Sequence, residues 1–215
     1  MAIQVNGTTV IDNSRNLTNI ASVDAATVTA LGNAGVGGGA TSLIQSPTSI
    51  GGSASTKTFS LSSSYDVIYL YVEGIQALSS TSAAYFSARA KDSSNNPITA
   101  GSSYVGGSSD SGRQSDRLNI AADTQVFGAY YNGSTWPGYF TMMMRIQGHN
   151  NTNMKTHFSG WTIGYRNLEG SWDTAFSINF AYMMRTTQVI NSVYLFESNG
   201  NSIGNGTYSM YGVNL

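Results

Sequence analysis

Tyr65-Asp-Val-Ile-Tyr-Leu-Tyr-Val-Glu73 is the stretch that decides the fold. Successive side chains of an extended strand point to opposite faces, so Val67, Tyr69 and Tyr71 share one side and Ile68, Leu70 and Val72 the other. β-branched and aromatic residues dominate the run, and no helical period runs through it. Both sides are apolar. That pattern predicts a central strand covered on both faces.

Working outward, the same texture continues in both directions. Ala83 to Ala90 alternates Phe86, Ala88 and Ala90 against Tyr85, Ser87 and Arg89, and Asp92-Ser-Ser-Asn-Asn-Pro97 reads as a turn. Thr124 to Tyr131 and Tyr139 to Gln147 are strand-like and are split by Asn132-Gly133 and Trp136-Pro-Gly138. Phe158 to Tyr165, Thr174 to Ala181, Val189 to Phe196 and Thr207 to Val213 follow, with Phe176, Ile178 and Phe180 expected inward and Ser177 and Asn179 outward. About eight strands at roughly ten-residue spacing predict an all-β chain, a jelly-roll-like antiparallel β-sandwich over residues 56–215.

Upstream of that domain the pattern changes. Residues 1–35 are extended and polar, with isolated aliphatics at Ile3, Val5, Val10, Ile11, Leu17, Ile20 and Val23. No short window there holds enough apolar surface to offset the entropy of ordering, so the segment must stay unfolded or find its neighbours in another chain. Only Ser22 to Gly32 has any helical character. Gly35, Gly37, Gly38 and Gly39 with the Ser-rich continuation through residue 55 read as a hinge. The expected layout is an N-terminal assembly arm (1–35), a Gly/Ser-rich hinge (36–55) and a sandwich.

Composition bounds the function. The chain has 215 residues, with 10% charged residues, a net charge of -1 and no cysteine. Typical soluble proteins carry about 25% charged residues, whereas about a third of this chain is Ser, Thr or Asn. The absence of a basic footprint argues against a nucleic-acid partner. Without thiols there is no disulfide and no thiolate metal site. No apolar run reaches the roughly 18 residues of a membrane span, so membrane insertion is not expected, and no signal-peptide pattern opens the chain.

Chemistry-bearing motifs are weak. The glycine run partly fits a dinucleotide fingerprint, but Pro47 follows where a helix would be needed. His149 and His157 lie in a polar stretch without a third ligand and read as solvent-facing. No Gly-x-Ser-x-Gly elbow occurs. Glycoside cleavage needs two facing carboxylates, and Asp66, Glu73, Asp92, Asp110, Asp116, Asp123, Glu169 and Asp173 are scattered. The expectation is therefore no enzyme, no cofactor and no metal. Tyr130, Tyr131, Trp136 and Tyr139 cluster around two turns and are candidate glycan contacts, since flat rings stack on sugar C–H faces. The alternative, which the sequence favours, is that these rings cap the sandwich or pack between subunits.

Two strings carry a resemblance. Val10-Ile-Asp-Asn-Ser-Arg-Asn-Leu-Thr-Asn-Ile20 followed by Ala21-Ser-Val-Asp24 resembles the N-terminal segment of tail-fibre and other virion-surface proteins of tailed bacteriophages, especially phages of marine bacteria. This string is 15 of the 215 residues, and the N-terminal segment it belongs to, about forty residues, is about a fifth of the chain. Val189 to Phe196 with Gly204-Asn-Gly-Thr-Tyr-Ser-Met-Tyr-Gly-Val213 looks like the closing strands of jelly-roll modules in phage structural proteins. The resemblance implies a homotrimer on the virion surface, made in the host bacterial cytoplasm, with Val10, Ile11, Arg15, Leu17 and Ile20 in the assembly arm. It implies a short head or tail fibre or a capsid decoration protein, joined to capsid or tail proteins through that arm. A carbohydrate-binding module that mediates host adsorption through a surface glycan is the alternative, and a depolymerase is the third reading.

Overall fold

The computed structural model describes residues 3–5, 8–11, 41–52, 54–77, 84–99, 103–110, 121–123, 127–131, 139–167, 173–197, 200 and 202–215. The chain divides into two compact units, Met1–Ala40 and Thr41–Leu215. In the first unit, β1 (Ile3–Val5) pairs antiparallel with β2 (Thr8–Ile11). Val10 and Ile11 belong to β2. Arg15, Leu17, Ile20, the Ser22–Gly32 stretch and Gly35, Gly37, Gly38 and Gly39 lie outside the described residues.

The second unit is an all-β antiparallel sandwich, as the alternation predicts. Its strands are β3 (Ser42–Ser49), β4 (Thr56–Ser60), β5 (Val67–Ala77), β6 (Ala84–Asp92), β7 (Tyr104–Asp110), β8 (Ala121–Asp123) and β9 (Phe127–Tyr131). They continue as β10 (Tyr139–Gln147), β11 (His157–Asn167), β12 (Asp173–Met184), β13 (Ile190–Glu197), β14 (Ile203–Gly204) and β15 (Thr207–Val213). The large sheet runs β3-β15-β5-β10-β11-β12-β7-β8, with β14 also on β5, and the small sheet runs β4-β13-β6-β9. Consecutive strands repeatedly switch sheets, from β4 to β5, β5 to β6, β6 to β7 and β12 to β13. These crossings tie the two layers together.

The core forms between the sheets. From the large sheet come Ile68, Leu70, Val72, Met142, Met144, Ile146, Phe158, Ile178, Phe180 and Met184; from the small sheet come Phe59, Phe86, Ala88, Ala90, Val193 and Leu195. Phe86 packs on Phe140 with ring centroids 4.5 Å apart, and Phe59 meets Tyr208 edge-on at 4.9 Å. Both pairs join one sheet to the other. Tyr104 is fully buried on β7, and its hydroxyl accepts a 2.9 Å hydrogen bond from the Ala90 amide of the small sheet. That bond serves a backbone N–H near the end of β6 that would otherwise be buried without a partner. Burial pushes the Tyr104 phenol up to about 12, against the lowering effect of the Ala90 bond.

Close approach requires glycine at position 160, among others. A Cβ on Gly160 of β11 would meet the Met143 carbonyl and the end of the Phe180 ring. No side chain fits where β10 and β11 pass beneath that ring.

Residues 42–49, read from the sequence as hinge, form the edge strand β3 on β15. Pro47 is compatible with that place because an edge strand can lose a ladder donor. The register between β15 and β3 shifts between Tyr208 and Met210 and again between Met210 and Tyr211.

Candidate functional site on the outer face of the large sheet

The alternation of β5 places the functional question. Ile68, Leu70 and Val72 are all fully buried beneath the small sheet. Tyr69 and Tyr71 point the other way and are half-buried. The sequence pattern predicts cover on both sides of this strand; among the described residues only the aliphatic side has it, apart from the buried Val67 at the strand's start. A tyrosine can hold that position because its ring packs against neighbours while its hydroxyl stays wet.

Register then gathers the outer face. Tyr211 of β15 lies opposite Tyr69 of β5, and Arg145 of β10 lies opposite Tyr69 from the other side. One rung along, Tyr71 lies opposite Ser209 and Met143, and Met143 lies opposite Trp161 of β11. Directly opposed residues share a face, so four strands contribute to one surface. The Tyr71 and Trp161 rings meet edge-on, with centroids 6.2 Å apart and planes at 79°. Leu43, opposite Tyr211 on β3, is 53% exposed, and Ile163 on β11 is 48% exposed.

Between these rings runs a shallow, open groove of about 510 Å³, lined by Thr41, Tyr69, Tyr71, Met143, Tyr211 and Val213. Among the described residues no carboxylate and no ammonium line it. The nearest charge on the same rung is Arg145, whose guanidinium donates a 2.6 Å hydrogen bond to the Gln147 side chain. This arrangement can hold a flat, uncharged, partly apolar ligand; it carries no acid–base pair.

Tyr130 and Tyr131 are on β9, at the edge of the small sheet, whereas Tyr139 opens β10 in the large sheet. Trp136 and the side chains of Tyr130, Tyr131 and Tyr139 lie outside the described residues. Adjacency in the chain thus spans two sheets here. The groove instead joins Tyr69 and Tyr71 to Tyr211, a pairing that no local pattern reveals. The available signal was the Tyr-x-Tyr alternation of β5, a phenol face opposite an aliphatic one.

Two of the described acids serve local structure. Asp92 Oδ1 accepts from the Ser94 and Asn96 amides at 2.9 and 2.8 Å, which closes the predicted turn. Asp66 Oδ2 accepts from the Leu215 amide at 2.9 Å. Asp110, Asp123 and Asp173 lie on β7, β8 and β12, while Asp116 and Glu169 are outside the described residues. Among the described residues no group of three or more His, Cys, Asp or Glu could hold a metal ion, and no helix is long and apolar enough to cross a membrane.

The histidines divide. His157 is exposed, as expected. His149 is buried, contrary to the solvent-facing reading, with Nε2 2.9 Å from the Ser62 carbonyl. A carbonyl can only accept, so Nε2 carries the proton, which leaves Nδ1 as a buried acceptor without a partner. Burial holds the His149 pKa below the usual imidazole value, opposed by the Ser62 bond and the Asp66 charge. The ring pins the loop after β4 to the loop after β10, a packing role that polar sequence context conceals.

No family model, no curated protein and no solved structure matches this chain.

Proposed function

We propose that this protein is a non-enzymatic structural protein of a tailed-phage virion. In this reading it is a homotrimeric surface protein, a short head or tail fibre or a capsid decoration, anchored by its N-terminal arm and displaying the sandwich. The observation that carries the reading is the division of the chain. Thr41–Leu215 builds a core of its own, whereas the described elements of Met1–Ala40 are two strands of 3 and 4 residues. A two-stranded hairpin that short is marginal in water and gains its stability from neighbours. Three interwoven copies, or a virion partner, would supply them. The resemblance of residues 10–24 to phage fibre segments points the same way.

Sedimentation equilibrium tests the assembly step. The full chain is expected at three times 22.8 kDa, and removal of residues 1–40 is expected to release a folded single copy. A full-length monomer would refute the trimer. Antibody labelling of purified particles tests placement on the virion.

A further inference from the structure

We infer that the groove on the outer face of the large sheet is a saccharide-binding site, and that its ligand is an uncharged pyranose unit of a glycan. The inference goes beyond the assembly reading and does not depend on it.

Three features select the ligand. First, size: about 510 Å³ falls within the range of small-molecule sites, and the open shape admits one unit of a longer chain. Second, the walls are Tyr69, Tyr71 and Tyr211 with Met143 and Val213. Rings and a thioether offer flat apolar surface to ligand C–H groups, while the phenol hydroxyls and the Thr41 hydroxyl offer hydrogen bonds beside it. A pyranose has that division, with C–H faces and a rim of hydroxyls. Third, charge: none of the described lining residues is charged. Arg145, opposite Tyr69, donates to the neutral Gln147 side chain and keeps its own charge beside the groove, so acidic oligosaccharides on an array test the neutral assignment directly.

The rings are also prepared in advance. Tyr69 and Tyr211 face each other across paired strands, and Tyr71 is braced by Trp161. Such a platform binds without ordering a loop, so little of the stacking energy is lost to entropy. The competing occupant is a second copy of this chain, since Leu43 and Ile163 extend the apolar surface. Tyr, Trp, Met and Arg are also residues that subunit contacts concentrate, so sedimentation of the tyrosine variants separates the two occupants.

The test uses the full-length protein on an array of neutral and acidic oligosaccharides. The best neutral binder is then titrated by intrinsic fluorescence against wild type, Tyr71→Ala, Tyr211→Ala and Ile163→Ser, the last lying on the same face but outside the groove. Sedimentation of the same samples reports their assembly. Neutral glycans are expected to bind wild type and Ile163→Ser alike, and each tyrosine variant is expected to lose about tenfold in affinity or more with its sedimentation unchanged. Three outcomes would overturn the inference: no glycan bound by wild type, tyrosine variants that bind as wild type does, or variants that dissociate the assembly while no glycan binds. A monomeric wild type that still binds neutral glycan would refute the trimer and leave the saccharide site standing.

Discussion

The two faces of β5 differ by one residue position along the same backbone and by almost everything else. Ile68, Leu70 and Val72 touch the small sheet and are fully buried, while Tyr69 and Tyr71 line an open groove with Tyr211 and Met143. One face closes the fold. The other is half-buried, with Tyr71 edge-on to Trp161, and has no covering layer among the described residues. The difference teaches that an apolar strand face is not evidence of a covering layer when its residues are tyrosines: the ring satisfies the pattern and the hydroxyl tolerates water.

The largest expected effect lies on the closed face. Leu70→Ala removes a fully buried side chain between the sheets, and truncations of this kind cost about 2–5 kcal/mol because the cavity relaxes only in part. Urea unfolding of the variant should show a lower midpoint with an unchanged slope. A loss below about 1 kcal/mol would mean that the inner face is as plastic as the outer, and the contrast would fail.

Tyr104→Phe probes the same interior through one hydrogen bond. The variant keeps the ring and its edge contact with Phe158 but leaves the Ala90 amide buried without an acceptor. The expected cost is about 1–3 kcal/mol. Wild type should also weaken in base. The Tyr104 pKa is raised to about 12 from 10.0, so the folded state holds its proton longer than the unfolded chain. Stability is complete below pH 10 and declines as pH rises between those two values. Phe at this position should remove that alkaline decline, read from unfolding midpoints across the range.

How much of this was legible beforehand follows from what is local. Alternation alone placed Ile178 and Phe180 inside, and it put Ile68 with Leu70 and Phe86 with Ala88 on common faces, all of which are buried, because the period of a strand is written in consecutive residues. The turn at Asp92 was legible for the same reason. The groove was not, since Tyr69 meets Tyr211 through the β5–β15 rung, and register over that separation depends on the whole topology. His149 was misread because its partner is the Ser62 carbonyl in a distant loop, and a backbone acceptor leaves no mark in composition. Residues 42–49 were read as linker because Ser, Pro and Thr are turn formers in isolation. At a sheet edge those same residues can be extended.

His149 gives the acid counterpart of the alkaline prediction. Its folded pKa is lowered from 6.5, so below that value the unfolded chain takes up a proton that the folded state resists. Stability is fully present above pH 6.5 and falls as pH drops from there toward the folded pKa. His149→Gln retains a donor for Ser62 and should flatten this acid limb in pH-dependent unfolding. An unchanged limb would assign the acid sensitivity to the carboxylates instead.

The smallest expected stability change belongs to the open face, and there the contrast with Leu70 is sharpest. Tyr71→Ala deletes a half-buried ring whose main partners are the Trp161 ring at 6.2 Å and Met143 across the rung. Cross-strand pairs of this type contribute about 0.2–1 kcal/mol each, and no cavity opens inside the core. The unfolding free energy should therefore fall by about 1 kcal/mol or less, even though the removed side chain is larger than that of Leu70. A strand built only for packing would lose stability in proportion to the side-chain volume removed on either face. If Tyr71→Ala proves as costly as Leu70→Ala, the tyrosine face is covered in solution, and the groove is a buried contact.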